Sequence, residues 1–124
     1  MYQKAIPSDA EPILRLINYH AARGQMLFRT LEDIQKHLDD FFVCKEHGNV
    51  LAACSLQNGW EKLLEIRSLA VHPHHYRRGI GAALVRACME EAAETDMERI
   101  FVLTYAMPFF AKLGFEKIDK SALP

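Results

Sequence analysis

One stretch of this 124-residue chain constrains its fold more than any other: Val71-His72-Pro73-His74-His75-Tyr76-Arg77-Arg78-Gly79-Ile80-Gly81-Ala82-Ala83-Leu84. The residues before it, Leu63 to Val71, read as a sheet strand stopped by His72-Pro73. After it, Leu84, Val85, Cys88, Met89 and Ala92 recur with helical spacing, so Gly79 to Glu94 reads as a helix. A strand that passes into a helix through a basic turn and two glycines gathers backbone N–H groups at the positive end of a helix dipole. Such a turn suits a phosphate or pyrophosphate. A solvated basic turn at a helix start fits the same residues. No Gly-Lys-Ser/Thr follows, which excludes the nucleotide-phosphate loop of that form. The third glycine of a dinucleotide fingerprint is missing too.

The rest of the chain supplies the other layers. Tyr2 to Ala5 reads as a short strand, and Pro7 stops it. Ser8 or Asp9 is placed to cap a helix carrying Ile13, Leu14, Leu16, Ile17 and Ala21, which ends near Gly24. Thr30-Leu31-Glu32-Asp33 is a second capping pattern, with Leu31, Ile34 and Leu38 behind it. Phe41 to Lys45 and Val50 to Leu56 flank His47-Gly48-Asn49 as an antiparallel hairpin. On the third sheet segment, alternation puts Leu64, Ile66 and Ser68 on one face and Glu65, Arg67 and Leu69 on the other. Ile100 to Leu103 reads as a buried strand, Pro108 opens a short helix to Lys112, and Phe115 to Ile118 is a last strand. The order β-α-α-β-β-β-α-β-α-β implies an α/β (α+β) class, with a mixed sheet and helices on its faces. The length fits a single domain over residues 1–124.

Composition narrows the partners. Fifteen Lys and Arg against sixteen Asp and Glu leave a net charge of −1, without the basic footprint of a nucleic-acid binder. No apolar run reaches the roughly 20 residues a bilayer demands, and the N-terminus lacks a signal-peptide core. Cys44, Cys54 and Cys88 are odd in number and sit among apolar neighbours, which fits buried, reduced thiols in a cytosolic protein. His72-Pro73-His74-His75 is read as a polar loop, because no further ligands complete a metal set. No metal is expected.

Ile66 to Pro73, then Arg77-Arg78-Gly79-Ile80-Gly81, then Phe110-Ala111-Lys112-Leu113-Gly114-Phe115 together resemble the GNAT N-acetyltransferase family. The resemblance covers nearly the whole chain, and the element order matches that family's mostly antiparallel sheet. It implies acetyl-CoA as cosubstrate and a small amine as acceptor. It sets Leu69, Ala70 and Val71 along the pantetheine arm and thioester. Tyr76, Arg77, Arg78, Gly79, Ile80, Gly81 and Ala82 would surround the pyrophosphate, and Phe110 would pack against the arm. The family prefers Gln or Arg three residues before the first glycine, and this chain has Tyr76 there, with Arg77 one residue on. Glu65 is the expected general base, since a carboxylate beside the thioester can take the amine's proton; an ion pair with Arg67 or a surface Lys is the alternative. Phe110 stands where the family often has Tyr and has no proton to donate. Tyr105 is the nearby candidate acid, or equally a core or rim tyrosine.

Leu16-Ile17-Asn18 leading to Arg23 through Thr30, together with Glu65 to Val71 and Phe109-Phe110, looks like the acetyltransferase domain of N-acetylglutamate synthases. So does the tail, Asp119 to Pro124. That resemblance implies Arg29 as a carboxylate-binding residue, a role to which a bidentate guanidinium is suited. Arg67 is a second candidate. Glutamate or a similar acidic amino acid is the expected acceptor. Another small amine, a protein N-terminus, or a non-catalytic acyl-CoA-binding module are the rival readings. Related chains continue past the Leu-Pro into a last strand, so an edge left open at Pro124 is expected to suit a second copy of the chain in a homodimer.

Overall fold

A computed structural model describes residues 2–60, 62–76, 78–97, 99–104 and 106–118. Five strands form one sheet in the order β1-β2-β3-β4-β5. These are β1 (Tyr2–Lys4), β2 (Phe41–Glu46), β3 (Asn49–Trp60), β4 (Leu63–Val71) and β5 (Arg99–Val102). The first four run antiparallel to their neighbours, and β5 lies parallel to β4. Two helices, α1 (Ala10–Ala21) and α2 (Leu31–Lys36), connect β1 to β2; α3 (Ile80–Ala93) crosses from β4 to β5, and α4 (Met107–Lys112) follows β5.

Alternation along the strands splits the core in two. Phe41 and Val43 of β2 and Ala53 of β3 pack with Ile13, Ile17 and Ile34 of α1 and α2. Phe42, Cys44, Ala52, Cys54 and Leu56 point the other way, onto Leu84, Val85 and Cys88 of α3. The sheet therefore carries helices on both faces, as the element order implies.

Three expectations need correction. Asp9 does not cap α1: its buried carboxylate turns back to accept from the Ile6 N–H at 2.9 Å and to pair with Lys45 Nζ at 2.7 Å. Phe115 to Ile118 form no strand. Gly114, at φ +97°, ends α4 in the left-handed region, and the Phe115 ring then packs edge-on against Phe110 at 5.4 Å between centroids. Third, Leu69 does not share a face with Glu65. It packs with Leu64 and Ile66 on the α3 side of the sheet.

A bulge causes the third difference. Ser55 pairs with Arg67, but Ala53 pairs with Ala70, so β4 spends one residue more than β3 across this step. Ser68 absorbs the excess at φ +56°, a conformation few non-glycine residues adopt. Side-chain parity flips there. Glu65 and Arg67 face one side, and Leu69 and Val71 face the other.

Candidate active site

The bulge lies where β4 loses a neighbour. Pairing with β5 runs from Leu63–Arg99 to Ile66–Val102 and then stops, so among the described residues β4 beyond Ile66 is flanked by β3 alone. The open backbone edge can be read from one bond. The His72 N–H donates to the Leu51 carbonyl of β3 at 2.7 Å. Because the 71–72 peptide is trans and planar, the Val71 carbonyl points away from β3. The register is regular from Ala70 to Val71, so the backbone groups of Val71 face the gap beside β5.

At the end of that gap sits the mouth of α3. Gly79 takes φ +75°, which starts the helix in a geometry that favours glycine. The N–H groups of Ile80, Gly81 and Ala82 come before the first in-helix bond, from Ala83 N–H to the Gly79 carbonyl at 3.0 Å. A Cβ on Gly81 would lie in ordinary van der Waals contact, 3.4 Å from Val71 Cγ2 and 3.5 Å from Phe109 Cζ, so the helix mouth adjoins the strand end. Nothing stands within 4 Å of a Cβ on Gly79. This is an uncrowded set of N–H donors joined to an open strand edge, which fits an anionic group at the end of an extended arm.

One groove is lined by Leu69, Val71, Tyr76, Gly79 to Ala82 and Phe110, and also by Glu65, Arg67 and Arg29. Two other expected residues lie apart from it. Ala70 is buried in the α1 core, and Arg78 is turned outward, with Nη2 3.1 Å from Glu46 and Nη1 donating to His75 Nδ1 at 2.7 Å. Arg77, Tyr105 and the tail 119–124 lie outside the described residues. Phe110 is buried, with Phe109 edge-on at 5.0 Å.

The bulge brings the charged groups together. Burial pushes the Glu65 carboxyl above the usual glutamate range, and Arg67 pulls it partly back. Arg67 Nε stands 4.0 Å from Glu65 Oε1, while Nη1 donates to Gln57 Oε1 at 3.0 Å. Arg29 comes from 39 residues away to donate through Nη1 to Ser68 Oγ at 3.1 Å. Its Nε donates to Asp33 Oδ2 at 2.7 Å, and this bond holds the Asp33 carboxyl below its usual range. Asn18 fixes the loop at this point by accepting from the Arg29 N–H at 3.2 Å and donating to the Arg29 carbonyl at 3.3 Å. Sequence reasoning missed Ser68, Asn18, Gln57 and His20. Of these, only Asn18 carried a signal, as part of the Leu-Ile-Asn run. Among the described residues, no three His, Cys, Asp or Glu side chains are grouped to hold a metal.

Residues 9–115 match the acetyltransferase (GNAT) family model. This chain belongs to the GNAT acetyltransferase family. A GNAT relative, an uncharacterized N-acetyltransferase of Chlorobaculum tepidum, is 38% identical over 117 residues, which are 94% of this chain and 76% of the relative. An amino-acid acetyltransferase of Mycobacterium tuberculosis is 32% identical over 120 residues, 94% of this chain and 68% of its own length. Among solved structures, the N-acetylglutamate synthase of Neisseria gonorrhoeae, complexed with coenzyme A and N-acetyl-glutamate, matches with a TM-score of 0.94 at 27% identity. That match covers 100% of this chain and 30% of the synthase. The chain is an acetyl-CoA-dependent N-acetyltransferase.

Proposed function

We propose that this enzyme, working as one domain, acetylates the α-amino group of glutamate or a similar acidic amino acid. The observation that carries the reading is the meeting of two guanidinium groups and one carboxylate across the bulge. Arg29 is bonded to Ser68, and Arg67 lies beside Glu65. Asp33 takes Nε of Arg29 and Ser68 takes one Nη1 proton, which leaves further guanidinium N–H donors for a carboxylate from the groove that Arg29 lines. Arg67 is the more exposed of the two and supplies the second cation. A relative that acts as an amino-acid acetyltransferase and a neighbour bound to N-acetyl-glutamate support the same acceptor class.

The roles follow from the geometry. In this reading the arm of acetyl-CoA lies on the free edge of Leu69 and Val71, with its diphosphate against the N–H groups of Ile80, Gly81 and Ala82 and the side chain of Tyr76. A backbone N–H near Leu69 supports the charge that grows on the thioester oxygen. Glu65, directly or through water, takes a proton from the acceptor ammonium, and the burial that raises its pKa above the usual glutamate range makes it a stronger base. The amine nitrogen bonds to the acetyl carbon as the carbon–sulfur bond breaks, the electron pair leaves on sulfur, and the second nitrogen proton passes to water or to the departing thiolate. Thiolate is a tolerable leaving group, so an acid is dispensable. Phe110, which carries no proton to donate, packs beside the arm.

A thiol-release assay with acetyl-CoA tests the acceptor. Glutamate and close acidic analogues are expected to turn over at least about tenfold faster than uncharged amines, the usual worth of one charged hydrogen bond. An inert glutamate alongside a reactive uncharged or basic amine overturns the assignment.

A further inference from the structure

His20, at the last turn of α1, is buried, and no role in the chemistry above uses it. Its Nε2 lies 2.9 Å from the Val71 carbonyl, 51 residues away. Its Nδ1 lies 2.7 Å from the carboxamide of Gln25, in the loop that leads to Arg29. Its ring lies face to face with Tyr76 at 6.4 Å between centroids and edge-on to Tyr19 at 5.1 Å. One side chain thus touches the end of the open strand, the turn before α3 and the acceptor loop.

The Val71 carbonyl is the telling partner. It points away from β3, into the gap, and Val71 is in van der Waals range of the α3 mouth at Gly81. A bare carbonyl oxygen there would be costly in two ways. It would lack a donor at a half-buried site, and its partial negative charge would face an incoming diphosphate. We infer that His20 is a positioning residue for cofactor binding: its Nε2–H occupies the Val71 carbonyl, so that the strand end offers the arm and diphosphate N–H donors without an opposing acceptor. The Val71 carbonyl can only accept, so the Nε2 that faces it carries a proton; Gln25 Oε1 lies 2.7 Å from Nδ1 on the other side of the ring.

The inference rests on the reading of β4 as the cofactor strand, and its test needs no acceptor. Coenzyme A affinity is measured by calorimetry on the whole chain for wild type, His20→Gln and His20→Asn. Gln can extend an N–H to the Nε2 position, whereas Asn reaches only the Nδ1 position. Loss of one hydrogen bond in H20N is expected to weaken coenzyme A binding about tenfold. H20Q is expected to stay within about threefold of wild type, which is the rescue a structural role would not give. His20→Phe, which keeps the ring packing, serves as the donor-free variant if H20N does not fold. Equal affinity in the donor-free variant and wild type overturns the inference, and so does equal weakening of the donor-free variant and H20Q. A lower Tm in both variants with affinity unchanged assigns the ring to stability alone. A wild-type chain that binds no coenzyme A overturns the cofactor reading, and this inference with it; a wrong acceptor leaves both standing.

Discussion

The two halves of β4 have the same composition of apolar and polar residues but opposite tasks. From Leu63 to Ile66 the strand is bonded on both edges, to β3 and to β5, and its side chains carry the potential chemistry through Glu65. From Ser68 to Val71 it keeps β3, has no β5 partner among the described residues, and offers its backbone. A side chain that must hold a proton at a fixed place is best mounted on a strand clamped from both sides. A backbone that must bond to a ligand has to be left single-edged. Ser68 separates the two regimes with one additional residue.

The largest effect that divides the halves is expected from Glu65→Gln. Loss of a general base lowers kcat by roughly a hundred- to ten-thousandfold. Coenzyme A affinity, which belongs to the other half, is expected to stay unchanged in calorimetry. A matching loss of both erases the division. Gly81→Val acts from the opposite side. Its branches enter a space already closed at 3.4 Å by Val71 and 3.5 Å by Phe109. The extra branches crowd Val71 and Phe109 at the helix mouth, so coenzyme A binding is expected to weaken about tenfold as the N–H donors shift. Turnover at saturating acetyl-CoA is expected to survive, which single-turnover kinetics can check.

The two arginines sharpen the picture within the acceptor end. Arg67→Ala is expected to raise the acceptor KM about tenfold with a smaller fall in Tm than Arg29→Ala, because its head is exposed and its loss strands one buried acceptor, Gln57 Oε1. Arg29→Ala is expected to raise the same KM by a similar factor and to lower Tm further, since Arg29 is buried and bonded to both Asp33 and Ser68. Thermal melts beside initial rates distinguish the two; an unchanged acceptor KM in both removes the carboxylate reading. The smallest effect concerns pH. Glu65 must be ionised to act, and burial raises its pKa, so the acid limb of kcat/KM should fall above the usual glutamate range. Arg67 opposes that rise, so Arg67→Ala should move the limb further up. A limb that stays put identifies some other group as the base.

Regular periodicity made most of the scaffold readable. The hairpin of β2 and β3, the stripe of α3 and the cap at Thr30, which accepts from the Asp33 N–H at 3.1 Å, all follow from local spacing. The two glycines also marked the start of α3, where the Ile80, Gly81 and Ala82 N–H groups precede the first in-helix bond. The misreadings fall where distant parts meet. Alternation alone put Leu69 beside Glu65, because a bulge centred on a serine at positive φ leaves no mark in the residues themselves. Asp9 looked like a cap until Lys45 arrived from β2 to claim it. Arg29 was expected as a carboxylate binder from the resemblance alone, and only the fold brings it to Ser68. His20 had no visible purpose, because its partner carbonyl lies 51 residues ahead.

The slip at Ser68 has an evolutionary consequence. It puts the strand's two inside-out patterns out of phase, so replacements upstream need not propagate downstream. Residues that choose an acceptor can drift while the grip on a common acyl donor is inherited intact. Deleting a single amino acid at this point would do more than shorten a loop: it would turn the donor-facing stretch over and merge two independently adjustable modules into one.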